Sequence, residues 1–256
     1  MNINSDVNIL GGLSDFSLIG VFLKENAKLI NDNKAQQLYT NIKTAKSFKR
    51  FEKAINNTIL KFKNSNIESI VRDVLDGEGI SLESLLLLFW NASANNELLD
   101  YLNQKVYFPA YYSGRVTINN NEIVACLKEL KQAEISIQKW SDSTINTTAS
   151  KYLTLLKKFN LMEGGLNKTI SHRYVSDKAL TLFVYWLLAV ETKSNILESR
   201  WIQYCFSDPE CGYRLHRYYG HFFRRLPNET GRSADYCETR SHIGGDIPES
   251  GQYFCK

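Results

Sequence analysis

What the chain lacks narrows its chemistry first. It carries no G-x-x-x-x-G-K-[ST] loop, no G-x-G-x-x-G after a strand, no H-E-x-x-H pair and no G-x-S-x-G elbow. A phosphate cradle, a zinc-peptidase helix and a hydrolase nucleophile are therefore not written in it. Histidine is scarce: of four, only His172 lies outside the last fifty residues, and with no nucleophile or orienting partner nearby it reads as a surface or phosphate-contacting residue rather than a general base. Asp73 and Asp76 sit before Gly77 and Gly79, a solvated helix end more than a metal site. Long apolar runs are missing too. The longest, Ala179 to Val190, has twelve residues and includes Thr181, Tyr185 and Trp186, against the ~20 that cross a bilayer. It reads instead as a buried helix capped by Ser176. Met1 to Asp6 is polar without a basic n-region, so no secretory leader is expected and the cytoplasm is the expected location. Net charge is only +4, which excludes a protein that coats nucleic acid and leaves room only for a local basic patch. No catalysis, cofactor, metal or membrane partner is expected.

Cysteine is rare and unevenly placed. Of five, four (Cys205, Cys211, Cys237, Cys255) fall near the end. Cys205 and Cys211 are six apart, and no C-x2-C pair offers tetrahedral ligands, so free thiols are expected rather than zinc. Other residue types shift with them: residues 1 to 199 hold 19 Lys and 4 Arg, whereas 200 to 256 hold 7 Arg and one Lys, and Asn falls from 22 to one. The last fifty residues, with scattered Gly and Pro and little periodicity, look composed under a different bias and are expected to pack poorly.

What is present is helical periodicity. Phe16 to Ile30, Ala45 to Phe62, Ile67 to Leu75 and Leu82 to Trp90 repeat apolar residues at helical spacing. Turn-forming residues at 31 to 33, 64 to 66 and 77 to 79 separate them. Pro109 and Gly114 mark a boundary where the pattern lapses between Tyr107 and Arg115. At 256 residues the chain has room for two cores. We expect an all-α, mainly helical protein: an N-terminal helical bundle over 1–114, a winged helix-turn-helix-like domain with a small β-hairpin wing over 115–206, and the atypical segment 207–256.

The second domain is the most informative. Ile123, Leu127 and Leu130 share one face of a first helix, while Glu122, Lys128, Glu129 and Lys131 lie largely opposite. After a break at 133 to 139, Ser141 or Ser143 can cap a second helix whose Thr148, Tyr152, Leu155, Leu156 and Phe159 face inward. Its outward residues are graded. Ser143, Asn146, Thr147 and Ser150 are short hydrogen-bonding groups suited to base edges, followed by Thr154 and by Lys151, Lys157 and Lys158, whose long charged stems suit phosphates. Asn160 is placed for a left-handed helix end that folds Leu161 back. Gly164 and Gly165 open a turn, and Thr169 to Val175 alternates with Ile170, His172 and Tyr174 on one face. This is the wing, with Lys168 and Arg173 as its phosphate contacts. A further basic stripe, Lys43, Lys46, Lys49, Arg50 and Lys53, opposes Phe48, Phe51, Ile55 and Ile59 on an N-terminal helix; it can track a phosphate backbone, or serve only as a solvated face.

Trp140-Ser141-x-x-Thr144, continuing through Leu155-Leu156 and Leu161, resembles the BrxA family of bacterial BREX (bacteriophage exclusion) defence systems. Gly11-Gly12 leading into Leu18 to Leu23, the aromatic helix Leu180 to Leu188 and Trp201 are similar in outline, so the resemblance spans roughly Gly11 to Phe206. It implies a small, all-helical, non-enzymatic component of a multi-protein phage-defence system, with double-stranded DNA and other BREX proteins as partners. The family's inner-membrane label finds no match in the apolar runs, and the cysteine-rich end departs from the family pattern. The expectation is a DNA-binding accessory protein of low sequence selectivity, because the outer helix face has no Arg or Gln to read bases. The alternative is an assembly subunit docking through Tyr107-Phe108 and Tyr111-Tyr112, or an RNA binder using the basic face; the same aromatic cluster reads more readily as an ordinary inter-domain core.

Overall fold

A computed structural model describes residues 3–13, 16, 19, 44–75, 80–165, 167–172, 175–191 and 199–206. All lie in one compact unit, Met1–His216. Lys43, Arg173, most of the Phe16 to Ile30 helix and the whole of 207–256 fall outside the described residues. The architecture is mainly helical with one two-stranded antiparallel sheet.

The elements run α1 (Asp6–Leu10), α2 (Ala45–Thr58), α3 (Ser65–Leu75), α4 (Leu82–Asn95), α5 (Glu97–Leu102), a π-helical turn (Asn103–Tyr107), α6 (Phe108–Tyr112), α7 (Asn120–Ala133), a 3-10 turn (Ile135–Ile137), α8 (Asp142–Lys158), β1 (Met162–Gly164), β2 (Lys168–Ile170), α9 (Asp177–Val190) and a second 3-10 turn (Ile202–Cys205). α4 is the axis of the core. Ser81 caps it by accepting the Ser84 N–H at 3.1 Å, and every residue from Leu86 to Ser93 is buried. α2, α3, α5 and α9 pack around it. α9, expected to be enclosed all round, is one-sided. Ser176 caps it as the sequence predicts, Phe183, Trp186 and Leu187 face inward, and Tyr185 is 43 % exposed.

The lapse expected between Tyr107 and Arg115 is not a break. Helical backbone continues from Glu97 to Tyr112 through the π turn, in which the Phe108 N–H reaches back five residues to the Asn103 carbonyl. Leu99, Leu102, Val106 and Ala110 stay buried at three- and four-residue steps through it, so it is Pro109 and Gly114, not a lapse of the apolar period, that imitate a boundary. Pro109 follows the π turn directly, in the first turn of α6, so the wider turn sits where proline withholds its N–H from the helical ladder. The real end is Gly114, at φ 71; its N–H and that of Arg115 satisfy the Tyr111 and Ala110 carbonyls.

Residues 115–206 share a core with 1–114. Tyr152 Oη donates to Asn103 Oδ1 at 2.9 Å, Tyr107 Oη to the Leu161 carbonyl at 3.3 Å, and Trp90 Nε1 to the Tyr204 carbonyl at 3.0 Å. After Gly114 the chain lays Val116 and Thr117 beside β2, the Ile170 N–H bonding the Val116 carbonyl at 2.7 Å and Thr117 bridging Thr169. Asn119 and Glu122 form a capping box on α7, and Arg115 holds Glu122 with two bonds of 2.8 and 2.6 Å.

Candidate nucleic-acid interface

α8 begins where the sequence places it. Ser141 accepts the Thr144 N–H at 3.2 Å, and its hydroxyl also meets Ser143 and Thr144 Oγ1, each at 2.9 Å, in a compact polar cap. Ile145, Thr148, Ala149, Tyr152, Leu153, Leu155 and Leu156 are buried, and α8 packs against both α7 and α1. The helix ends at Phe159, with Asn160 left-handed at φ 61 and the Leu161 N–H returning to the Leu156 carbonyl at 3.0 Å. That reversal turns the chain into β1. Met162 pairs with Ile170, Glu163 with Thr169 and Gly164 with Lys168. Gly164, at φ 87, closes the turn so tightly that a Cβ there would lie 2.3 Å from the Asn167 carbonyl oxygen. β2 stops at Ile170 rather than running to Val175, because His172 leaves the ladder: its ring stacks on Tyr111 at 4.8 Å and Nε2 lies 2.9 Å from the Arg115 carbonyl.

The outward face of α8 divides into three groups. Ser143, Asn146, Thr147 and Ser150 are exposed along one strip. Asn146 donates one amide proton to the Asp142 carbonyl at 2.9 Å, whereas the Thr147 and Ser150 hydroxyls have no partner among the described residues. Thr154 and Lys151 are half-exposed, and Thr154 Oγ1 is turned back onto the Ser150 carbonyl at 2.9 Å. The two terminal lysines diverge. Lys157 is exposed and its ammonium donates to the Gly164 carbonyl, tying the helix end to the hairpin turn while leaving protons for another acceptor. Lys158 is half-buried, and its ammonium donates to the carbonyls of Leu10 (3.2 Å), Gly11 (3.0 Å) and Leu13, which end α1. It acts as a cap at a helix C-terminus, where carbonyls and a partial negative charge collect. The sequence grouped Lys158 with Lys157 because charge alone does not say where a flexible stem points.

α1 lies against α8 because Gly11 permits it. A Cβ at Gly11 would stand 2.4 Å from the Lys151 carbonyl oxygen, and the Lys151 ammonium lies 3.9 Å from the corresponding position on exposed Gly12. Lys168 is half-exposed on β2. On α2, Lys46, Lys49, Arg50 and Lys53 are all exposed, while Ala54, Ile55, Thr58 and Ile59 are buried. Asp142 in the first turn of α8 and Glu163 on β1 are the carboxylates exposed at the edges of the α8 strip and hairpin.

Beneath α8 lies a polar network that the sequence reading missed. Asn103, fully buried at the π turn, accepts from Tyr152 and donates to Ser93 Oγ at 3.1 Å and Tyr204 Oη at 3.3 Å. Tyr204 Oη donates to Asp100 Oδ1 at 2.7 Å, and Arg200 pairs with Asp100 Oδ2 at 3.0 Å. Burial pushes the Tyr152 and Tyr204 hydroxyls well above the ordinary tyrosine range, with the Asp100 charge adding to Tyr204. Tyr152 had been assigned as an apolar position; its hydroxyl instead anchors α8 to the π turn.

The aromatic cluster is spent internally. Tyr107 and Phe108 are buried against Phe206 and Tyr204, and Tyr112, at 47 % exposure, donates to the Gln203 carbonyl at 2.6 Å. A polar cleft of about 370 Å³ near Lys63, Asn95 and Arg200 has its Asn95 amide protons on the Thr58, Lys61 and Asn91 carbonyls. Burial raises the Cys126 thiol, which keeps it protonated and a poor nucleophile. Among the described residues no three metal-ligating side chains gather, and no helix is long and apolar enough to cross a membrane.

The sequence profile of the BrxA family matches residues 18–183, a span that takes in α2 through α8, the hairpin and half of α9. Among curated proteins none matches the chain.

Proposed function

The chain belongs to the BrxA family of BREX phage-defence systems, and on that premise we propose that it serves its system as a non-enzymatic protein that binds duplex DNA through a winged helix. Membership makes it a component of such a system, with other BREX proteins as its expected partners. The observation that carries the DNA reading is the α8 strip: Ser143, Asn146, Thr147 and Ser150 stand exposed in a row, on the second helix of a helix, helix, hairpin succession whose hairpin turns back beside that helix's end and bridges Thr117 ahead of the first helix. A major groove about 12 Å wide admits such a helix. Three short hydroxyls read bases singly, and only the Asn146 amide can make a bidentate contact, to one adenine, so selectivity is low. Lys151, Lys157 and Lys168 are the phosphate contacts, and Lys158 leaves that set for its carbonyls. The cytoplasm follows as the place where such a partner is met.

The test is fluorescence anisotropy of the full chain with labelled duplexes across a salt series. Lys151→Gln, Lys157→Gln and Lys168→Gln together should flatten the slope of log affinity against log salt by up to about 2.7, since each lost phosphate contact removes ~0.9. Absence of wild-type binding at low salt overturns the DNA reading, a sharply sequence-selective footprint overturns low selectivity, and tighter binding to RNA moves the partner. Docking through the aromatic cluster is the weaker reading, because Tyr107 and Phe108 are buried and the Tyr111 and Tyr112 hydroxyls already hold the Phe206 and Gln203 carbonyls.

A further inference from the structure

The cation supply of the winged helix is smaller in space than in sequence. Lys158 is occupied by three carbonyls and Lys157 by one, while Lys151 and Lys168 are only half-exposed. A weakly selective binder draws its affinity from phosphates, so neutralising charge has to come from elsewhere on the protein.

α2 supplies it. Lys46, Lys49, Arg50 and Lys53 fall at i, i+3, i+4 and i+7, one exposed stripe extending ~10.5 Å along the helix. Lys46, Lys49 and Arg50 make no ion pair or hydrogen bond among the described residues. The stripe contains the like-charge neighbours 46/50, 49/53, 46/49 and 50/53, each of which works against the helix. A stripe kept only for solubility would be relieved by interspersed carboxylates; the remaining Glu52 is half-buried beside it, and Asp6 of α1 lies within electrostatic reach of Lys53 alone. An anionic polymer laid along α2 removes the repulsion.

The position of α2 fits one particular polymer. α1 packs against both α2 and α8, so α2 stands within two helix spacings of α8, at most about 16–20 Å at 8–10 Å each. With α8 in a major groove ~12 Å wide, the phosphates that flank the groove come within reach of a helix held to α8 through one shared neighbour. α1 has a cation of each helix near it: the Lys151 ammonium of α8 beside exposed Gly12, and Lys53 of α2 within electrostatic reach of Asp6. We propose that Lys46, Lys49, Arg50 and Lys53 form a second phosphate-binding surface for the same duplex that α8 contacts, so that the protein straddles one backbone strand with α1 as the bridge. This rests on the DNA-binding reading above.

The experiment is a salt series on the full chain with Lys46→Gln, Lys49→Gln and Arg50→Gln combined, substitutions that keep helix propensity. Circular dichroism checks folding, and a charge-retaining variant with Lys46→Arg, Lys49→Arg and Arg50→Lys serves as control. The neutral triple should flatten the salt slope by about 2.7 and weaken every duplex at least tenfold at moderate salt, while the control binds like wild type. Unchanged slope and affinity in the neutral triple, with wild type binding normally, overturn the α2 surface alone. Equal loss in the control overturns it too, by making the effect structural. Failure of wild type itself to bind duplex overturns the underlying reading and this one with it. Loss confined to single-stranded RNA, with duplex binding intact, also rejects it.

Discussion

Replacing Lys158 with Met keeps the aliphatic stem and removes the ammonium that the Leu10, Gly11 and Leu13 carbonyls share. A hydrogen bond to a charged group contributes roughly 1.5–3 kcal/mol, and because the site is only part-buried, water recovers some of what three bonds would supply. We take a net loss of about 2 kcal/mol, the scale of one such bond. For a domain of this size each kcal/mol moves the melting temperature by about 2–4 °C, so Lys158→Met should melt about 4–8 °C below wild type. The assays are thermal unfolding by circular dichroism and the salt slope of DNA binding, run on the same preparation. A phosphate contact would give the reverse pattern: melting unchanged and the slope shallower by ~0.9. That result would refute the assignment of Lys158 to the end of α1.

Gly11→Ala places a methyl 2.4 Å from the Lys151 carbonyl oxygen; with main chain on both sides the strain should cost about 1–3 kcal/mol, and an unchanged urea midpoint would show that α1 does not press on α8. Tyr152→Phe deprives buried Asn103 of its donor and should cost ~1–3 kcal/mol, measured by chemical unfolding, whereas Lys151→Gln on the outer face should cost almost nothing. Tyr107, Tyr152 and Tyr204 have hydroxyl pKa values raised well above 10 by burial. The folded chain therefore keeps protons that the unfolded chain releases, so their contribution is intact below pH 10 and is lost as pH rises above it. The loss is about 1.4 kcal/mol per pH unit for each. Alkaline unfolding should coincide with tyrosinate absorbance, and three tyrosines ionising in a still-folded chain would contradict the burial.

The start and end of α8 were legible because both are local. A hydroxyl before a periodic run and an Asn after it act within a turn or two of the backbone they serve, and Ser141 and Asn160 do so. Partners far apart in sequence were not legible. Lys158 meets carbonyls 145 to 148 positions away, and nothing in its neighbours distinguishes that acceptor from a phosphate. The π turn escaped for a different reason: Leu99, Leu102, Val106 and Ala110 keep ordinary three- and four-residue spacing through it, so the apolar pattern carries no mark of the wider turn, while Pro109 and Gly114 read as a boundary. Asn103 escaped with it, since a buried Asn with three side-chain partners looks, in sequence, like an Asn in a loop.

Three aromatic donors close the described unit at its far end: Trp90 Nε1 on the Tyr204 carbonyl, Tyr112 on that of Gln203 and Tyr111 on that of Phe206. All three grip main chain. A clasp of that kind reads the path of the backbone and ignores the letters threaded through it, so Gln203 is free to vary while the carbonyls stay where they are. The change in residue usage that sets in near residue 200 can thus run into the clasp without loosening it, provided that Tyr204 keeps its own hydroxyl on Asp100.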